Sequence, residues 1–134
     1  MRLWHYELIP FLPKSQLIAQ WRELNSIFKK QDKHILINYV YDYPKENLMW
    51  YSLLVGNEIL DRGYKIKSFD NYNTFFKNIT PIYLKNPFPN HHNDRYLLQC
   101  FYNLQEKYDR GQKDFSKELY EKLEQFVRGE TNGK

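Results

Sequence analysis

At 134 residues with a formal net charge of +4, the chain has room for one domain with a real core and too little for two of ordinary size. Cys100 is the only cysteine, which excludes an internal disulfide framework and a thiolate-rich metal site and suits a reducing cytoplasm. No apolar run approaches the roughly 20 residues that span a bilayer, and Pro10 and Pro13 interrupt the stretch where a signal peptide would carry its apolar centre, so a cytoplasmic protein with no membrane partner is expected.

The pattern predicts an all-α fold, a single domain over residues 1–134 built as a bundle of three to four helices with a long irregular loop. Pro13 suits a helix first turn, where its missing N–H costs nothing, and Leu17, Ile18, Trp21, Leu24 and Phe28 follow at helical spacing. This predicts a first helix over roughly 13–30. Residues 31–43 are rich in β-branched and aromatic side chains (Ile35, Ile37, Tyr39, Val40, Tyr41), and a short extended segment is one reading of them. Pro44 then opens a second helix, roughly 45–62, with Leu48, Tyr51, Val55 and Ile59 inward and Gly63 as a left-handed cap.

Residues 64–92 carry several prolines, many asparagines and no sustained period, which predicts a long loop of the kind that often bears function. Asn93 or Asp94 can cap a third helix, roughly 93–110, with Leu97, Cys100, Phe101, Leu104 and Tyr108 on one stripe and Gly111 as its stop. On that stripe Cys100 reads as a small core residue. Asp114 or Ser116 can start a fourth helix, roughly 114–128, with Phe115, Leu119, Leu123 and Phe126 buried and Gly129 at its end, leaving residues 130–134 frayed.

Charge is unevenly spread. From Arg62 to Arg95 six basic residues face two acidic ones, while beyond Tyr96 seven basic residues are matched by seven acidic ones. The chain also holds 12 Tyr, 9 Phe and 3 Trp, many beside polar or basic groups, as in Tyr72-Asn73-Thr74-Phe75-Phe76-Lys77. Basic charge interleaved with aromatics can hold phosphates and stack bases, and the competing reading is a small domain with an aromatic core and a solvated lysine face. Lys33 and His34 are candidate phosphate contacts, with a solvated loop as the alternative. His91-His92-Asn93-Asp94 has metal-ligand residue types but no second cluster, and a helix cap accounts for Asn93 and Asp94, so no metal is expected.

The first helix carries a carboxylate, Glu23, beside Arg22, close in sequence to the chain's own α-amine. Glu23 falls on the flank of the apolar stripe with Gln16, Gln20 and Ile27, a border where partial desolvation raises a carboxyl pKa toward the range of an acid/base catalyst. An α-amine titrates near about 8, well below lysine. If the two meet in space they form a nucleophile and its acid/base partner, the requirement for Schiff-base chemistry on a carbonyl or a sugar C1′.

Met1-Arg2-Leu3-Trp4, Leu17, Ala19, Trp21-Arg22-Glu23-Leu24 and Phe28 resemble the pattern of the phage-type pyrimidine-dimer DNA glycosylase and AP lyase family, the endonuclease V type. Glu58-Ile59-Leu60-Asp61-Arg62-Gly63-Tyr64-Lys65-Ile66 is similar to the end of that family's middle helix. The resemblance implies a compact all-α domain whose N-terminal segment threads between helices, bringing the amine to the helix-one glutamate. It implies an amine, here that of Met1, that attacks C1′ and releases the damaged base. An imine then undergoes β-elimination, with no metal or diffusible cofactor. Glu23 would orient the amine, stabilise the cationic intermediate and manage protons. Arg2 and Arg22 map to the family's arginines near the amine and beside the glutamate, where a guanidinium fork suits phosphate. The implied partner is double-stranded damaged DNA, bent across a basic face with a nucleotide extruded, bound by a monomer. The alternative function is a non-catalytic nucleic-acid-binding domain on the same scaffold.

Overall fold

The computed structural model describes residues 1–132, and these form an all-α fold. In chain order a 3-10 helix, Tyr6–Phe11, leads into α1 (Lys14–Lys30); a second 3-10 helix, Asn38–Asp42, precedes α2 (Lys45–Asp61); α3 (Asp70–Phe75) is short; α4 (Asp94–Asp109) and α5 (Lys117–Asn132) complete the bundle. The four long helices lie where the apolar periods place them. Gly63 and Gly111 take left-handed φ of 86° and 84° just beyond α2 and α4, and the N–H groups of Tyr64 and Gln112 return to the carbonyls of Ile59 and Lys107 at 3.1 Å each, which closes both helix ends.

Capping is partly non-local. The Asn93 side chain accepts the Tyr96 N–H at 2.9 Å and starts α4, and Ser116 Oγ accepts the Leu119 N–H at 3.1 Å and starts α5. Asp114, a candidate for that second role, caps α1 instead: Oδ2 accepts from the Ser15 N–H at 2.7 Å and the Ser15 hydroxyl at 2.6 Å. The fourth helix also runs past Gly129 to Asn132, so residues 130–132 are helical; residues 133–134 of the expected frayed tail lie outside the described residues.

Two expectations are corrected. Residues 31–43 hold a turn and a 3-10 helix in place of an extended segment. Ile37 and Val40 of this segment are buried while Ile35 stands in solvent, which is the order of a turn and tight helix and not the alternation of a strand. The long loop 64–92 contains α3, whose six residues are too few for a period to show. Tyr72, Phe75 and Phe76 from this region pack on Phe28 at ring separations of 5.9, 5.5 and 5.2 Å, so these three aromatics pack against the core.

The inward stripe of α1 is also rotated from expectation. Leu17, Gln20, Leu24, Ile27 and Phe28 are its buried residues, and Trp21 is only partly buried, its ring 3.4 Å from where a Cβ on Gly56 would sit. The structure thus turns an amide into the core, and the N-terminal segment explains why.

Candidate active site

Residues 1–5 form no helix or strand and enter the helical bundle, with Leu3, Trp4 and His5 buried. A buried segment without regular structure has backbone polar groups that no helix or sheet satisfies, and each unpaired one costs about 1–3 kcal/mol. Side chains from three helices supply the partners. Gln20 of α1 accepts the Trp4 N–H at 2.8 Å and donates to the Arg2 carbonyl at 3.1 Å. Tyr51 of α2 donates to the Trp4 carbonyl at 2.6 Å, with its oxygen 3.0 Å from Gln20 Oε1. Tyr96 of α4 donates to the Leu3 carbonyl. Burial holds Tyr51 and Tyr96 well above the ordinary phenol range, so both are donors at any working pH.

His5 and His92 lock the next turn. His5 Nδ1 accepts the Glu7 N–H at 3.2 Å and its Nε2 lies 3.1 Å from the His92 carbonyl. A backbone donor on one nitrogen and a carbonyl on the other require the neutral tautomer protonated at Nε2. His92 Nδ1 likewise accepts the Tyr6 N–H at 3.1 Å, and its Nε2 faces the Tyr39 hydroxyl at 2.7 Å. Burial lowers the His5 pKa to about 4 and holds that of His92 well below its usual value. Among the described residues no group of three His, Cys, Asp or Glu side chains is placed to hold a metal ion.

This anchoring brings the chain start to the one carboxylate of the expected site. Met1, Arg2, Trp4 and Glu23 line a single cleft of about 190 Å³ with Leu36, Asn103 and Lys107. Burial pushes the Glu23 carboxyl above its usual range, and the N-terminal ammonium and the Arg22 guanidinium draw it partway back, so the amine lies close enough for its charge to be felt. The same Gln20 Nε2 that holds Arg2 also donates to Glu23 Oε2 at 3.1 Å. One amide therefore sets the N-terminal backbone and the carboxylate in a common frame.

The remaining expected residues divide. Arg2 is half-buried, 5.9 Å over the Trp4 ring, and its charge is felt by Tyr39, Tyr96 and Cys100, so it faces the fold as well as the cleft. Arg22 is exposed and borders a neighbouring depression of about 390 Å³ with an apolar floor (Ile18, Trp21, Ile59, Ile66) and two further cations, Lys65 and Lys67. Lys33 and His34 are exposed on the turn that leads to Leu36. Arg62, counted above among the basic excess, points inward and donates to the Leu12 and Pro10 carbonyls at 2.7 and 3.1 Å. Burial raises the Cys100 pKa, consistent with a core thiol.

Gln20, Tyr51, Asn103 and Lys107 were not singled out as site residues in the sequence. Gln20 sits at core spacing between Leu17 and Leu24, a position where a polar side chain needs a partner. Asn103 and Lys107 lie one turn apart on α4, beside the Cys100 and Leu104 stripe, and only the packing of α4 against the N-terminal segment turns that edge into a cleft wall.

No helix among the described residues is long and apolar enough to cross a membrane. The comparisons with curated proteins and with solved structures returned no significant match. The family model described as pyrimidine dimer DNA glycosylase matches residues 1–72, which contain the N-terminal segment, Gln20, Glu23 and Tyr51. With that match over more than half of its length, the chain belongs to the pyrimidine dimer DNA glycosylase family.

Proposed function

We propose that the protein is a DNA glycosylase and AP lyase that uses the α-amine of the mature chain's first residue, Met1, as nucleophile and Glu23 as its acid/base partner. The observation that carries this reading is the Gln20 clamp, which ties the N-terminal backbone and the Glu23 carboxylate to one side chain. A nucleophile and its partner must be held in near-attack geometry for the amine to act, and a buried, hydrogen-bonded segment supplies that positioning.

In this mechanism the neutral amine attacks C1′ of the damaged nucleotide and the N-glycosidic bond breaks, its electron pair leaving with the base, which takes up a proton. The C1′–O4′ bond then breaks, its electron pair going to O4′, which takes up the proton the amine has given up, and the ring opens to a protonated imine. Loss of a C2′ proton then expels the 3′ phosphate by β-elimination, and water hydrolyses the imine to return the amine. Glu23 as carboxylate accepts the amine proton, stabilises the cationic imine and relays the C2′ proton. Arg2, Arg22 and Lys107 meet phosphates around the cleft, with Lys33 and His34 extending the cationic rim. No step calls on a metal or cofactor.

Borohydride trapping on duplex DNA containing an abasic site or a cyclobutane thymine dimer tests this, using untagged protein and protein with an acetylated N-terminus. The expected result is a covalent adduct mapped to the N-terminal peptide of the untagged protein only. DNA binding without an adduct on either substrate would instead identify a non-catalytic nucleic-acid-binding domain.

A further inference from the structure

The turn after α1 presents Ile35 to solvent at 86% exposure, with Leu36 beside it at 43%. An aliphatic pair held this far from the core is unusual when the turn that carries it is closed by hydrogen bonds, as this one is. The Ile37 and Asn38 N–H groups both return to the His34 carbonyl at 2.8 Å, the Leu36 N–H donates to His34 Nδ1 at 3.2 Å, and Ile37 is fully buried as its anchor. The entry side is tied as well, since Asp32 accepts from the Ser26 hydroxyl and, through its carbonyl, from Tyr41.

Position and charge say what this turn meets. Leu36 lines the same cleft as Met1 and Glu23, so the turn is continuous with the proposed reaction site. Exposed Lys29, Lys30, Lys33 and His34 stand around it in sequence, a surround that suits phosphates on either side of an apolar tip. Proteins that kink duplex DNA insert such aliphatic side chains between base steps and partly unstack them. A base-reaching enzyme needs that opening, because C1′ of a stacked nucleotide is not free to meet an amine.

We propose that the Ile35–Leu36 turn is a wedge that enters the base stack next to the lesion and holds the duplex open while the damaged nucleotide occupies the cleft. The proposal rests on the reading of that cleft as the reaction site. Ile35 is then a positioning residue: it acts on the duplex and takes no part in bond making.

The test compares the untagged protein with its Ile35→Ser and Ile35→Leu variants on single-stranded abasic DNA, on duplex abasic DNA, and on a duplex with 2-aminopurine beside the abasic site. Ile35→Ser should lose about tenfold or more in duplex cleavage and most of the 2-aminopurine signal. Cleavage of the single strand, which needs no opening, should stay within about twofold, and Ile35→Leu should restore the duplex activity. Equal duplex cleavage and equal fluorescence for Ile35→Ser and the parent would overturn the wedge. So would a parent dimer, dissolved by Ile35→Ser with its DNA behaviour unchanged. A parent that fails to cleave or trap even the single strand would instead overturn the reaction reading, and the fluorescence of the bound duplex would still report on the wedge.

Discussion

Trp4 and Gln20 are joined by a backbone N–H to side-chain carbonyl bond of 2.8 Å across 16 positions of sequence, in the interior of the molecule. That contact determines how deep the N-terminal segment sits, and therefore where the amine emerges relative to Glu23. Gln20 also bonds the Arg2 carbonyl and the Glu23 carboxylate, so one substitution there disturbs three contacts of the site.

Replacing Gln20 with Ala should leave the Trp4 N–H and the Arg2 carbonyl without partners in a buried setting. The expected loss is about 2–4 kcal/mol of stability, read from urea unfolding. Residual folded protein should trap abasic DNA more slowly than the parent under identical conditions, because the N-terminal segment and Glu23 no longer share a clamp.

Glu23→Gln should separate stability from activity. The folded carboxyl has a raised pKa, so the stability it contributes is present when it is protonated at low pH and is lost as pH rises through that pKa. Glutamine mimics the protonated form at every pH. The variant should melt at or above the parent's temperature at neutral pH while losing abasic-site cleavage, a trade common at working sites. Cleavage at the parent's rate would remove Glu23 from the mechanism.

Arg22 shifts the Glu23 equilibrium without sharing its cleft. Its positive charge lowers the Glu23 pKa, against the larger upward effect of burial. In Arg22→Ala the carboxyl should hold its proton to higher pH. The acid limb of kcat/KM for abasic cleavage should therefore move upward in pH, a displacement that a mere loss of DNA affinity would not produce.

Acid should weaken the fold through the histidine pair. His5 takes up a proton near pH 6.5 when unfolded and only at about 4 when folded. Its contribution is complete above about pH 6.5 and is lost as pH falls toward about 4, a change of about 3 kcal/mol, with His92 acting in the same direction. Unfolding free energies measured between pH 7.5 and 4.5 should show that slope, and a His5→Asn variant, less stable throughout, should show a shallower one.

Lys107→Ala should reduce the slope of log K against log salt by about 0.9 if the lysine neutralises one DNA phosphate. Lys33→Ala should do the same if exposed Lys33, on the turn that leads to Leu36, meets a second phosphate. A variant with unchanged slope leaves its lysine outside the interface.

The long helices, the stops at Gly63 and Gly111 and the Asn93 cap are legible in the chain because each is a local decision. A 3.6-residue apolar period or a glycine at a left-handed position needs no distant partner to be read. The pairing of Glu23 with the N-terminal amine is an expectation carried by the resemblance, and the fold adds to it that Met1 and Glu23 line one cleft. Short α3 escaped because six residues hold no period, and the 31–43 segment because β-branched composition suits a tight turn packed on a core as well as it suits a strand. Asp114 reads in the sequence as a possible start of its own helix, and it caps α1 instead because a carboxylate finds the nearest free N–H in space. The orientation of α1 was set the same way. A period places Trp21 inward, yet Gln20 takes that place, because a buried N-terminus must have its backbone hydrogen bonds met and Gln20 meets both the Trp4 N–H and the Arg2 carbonyl. Sequence alone determined the helices and the candidate chemistry; tertiary structure decided which polar groups meet, since hydrogen-bond satisfaction in a core is a property of three-dimensional neighbours and not of chain order.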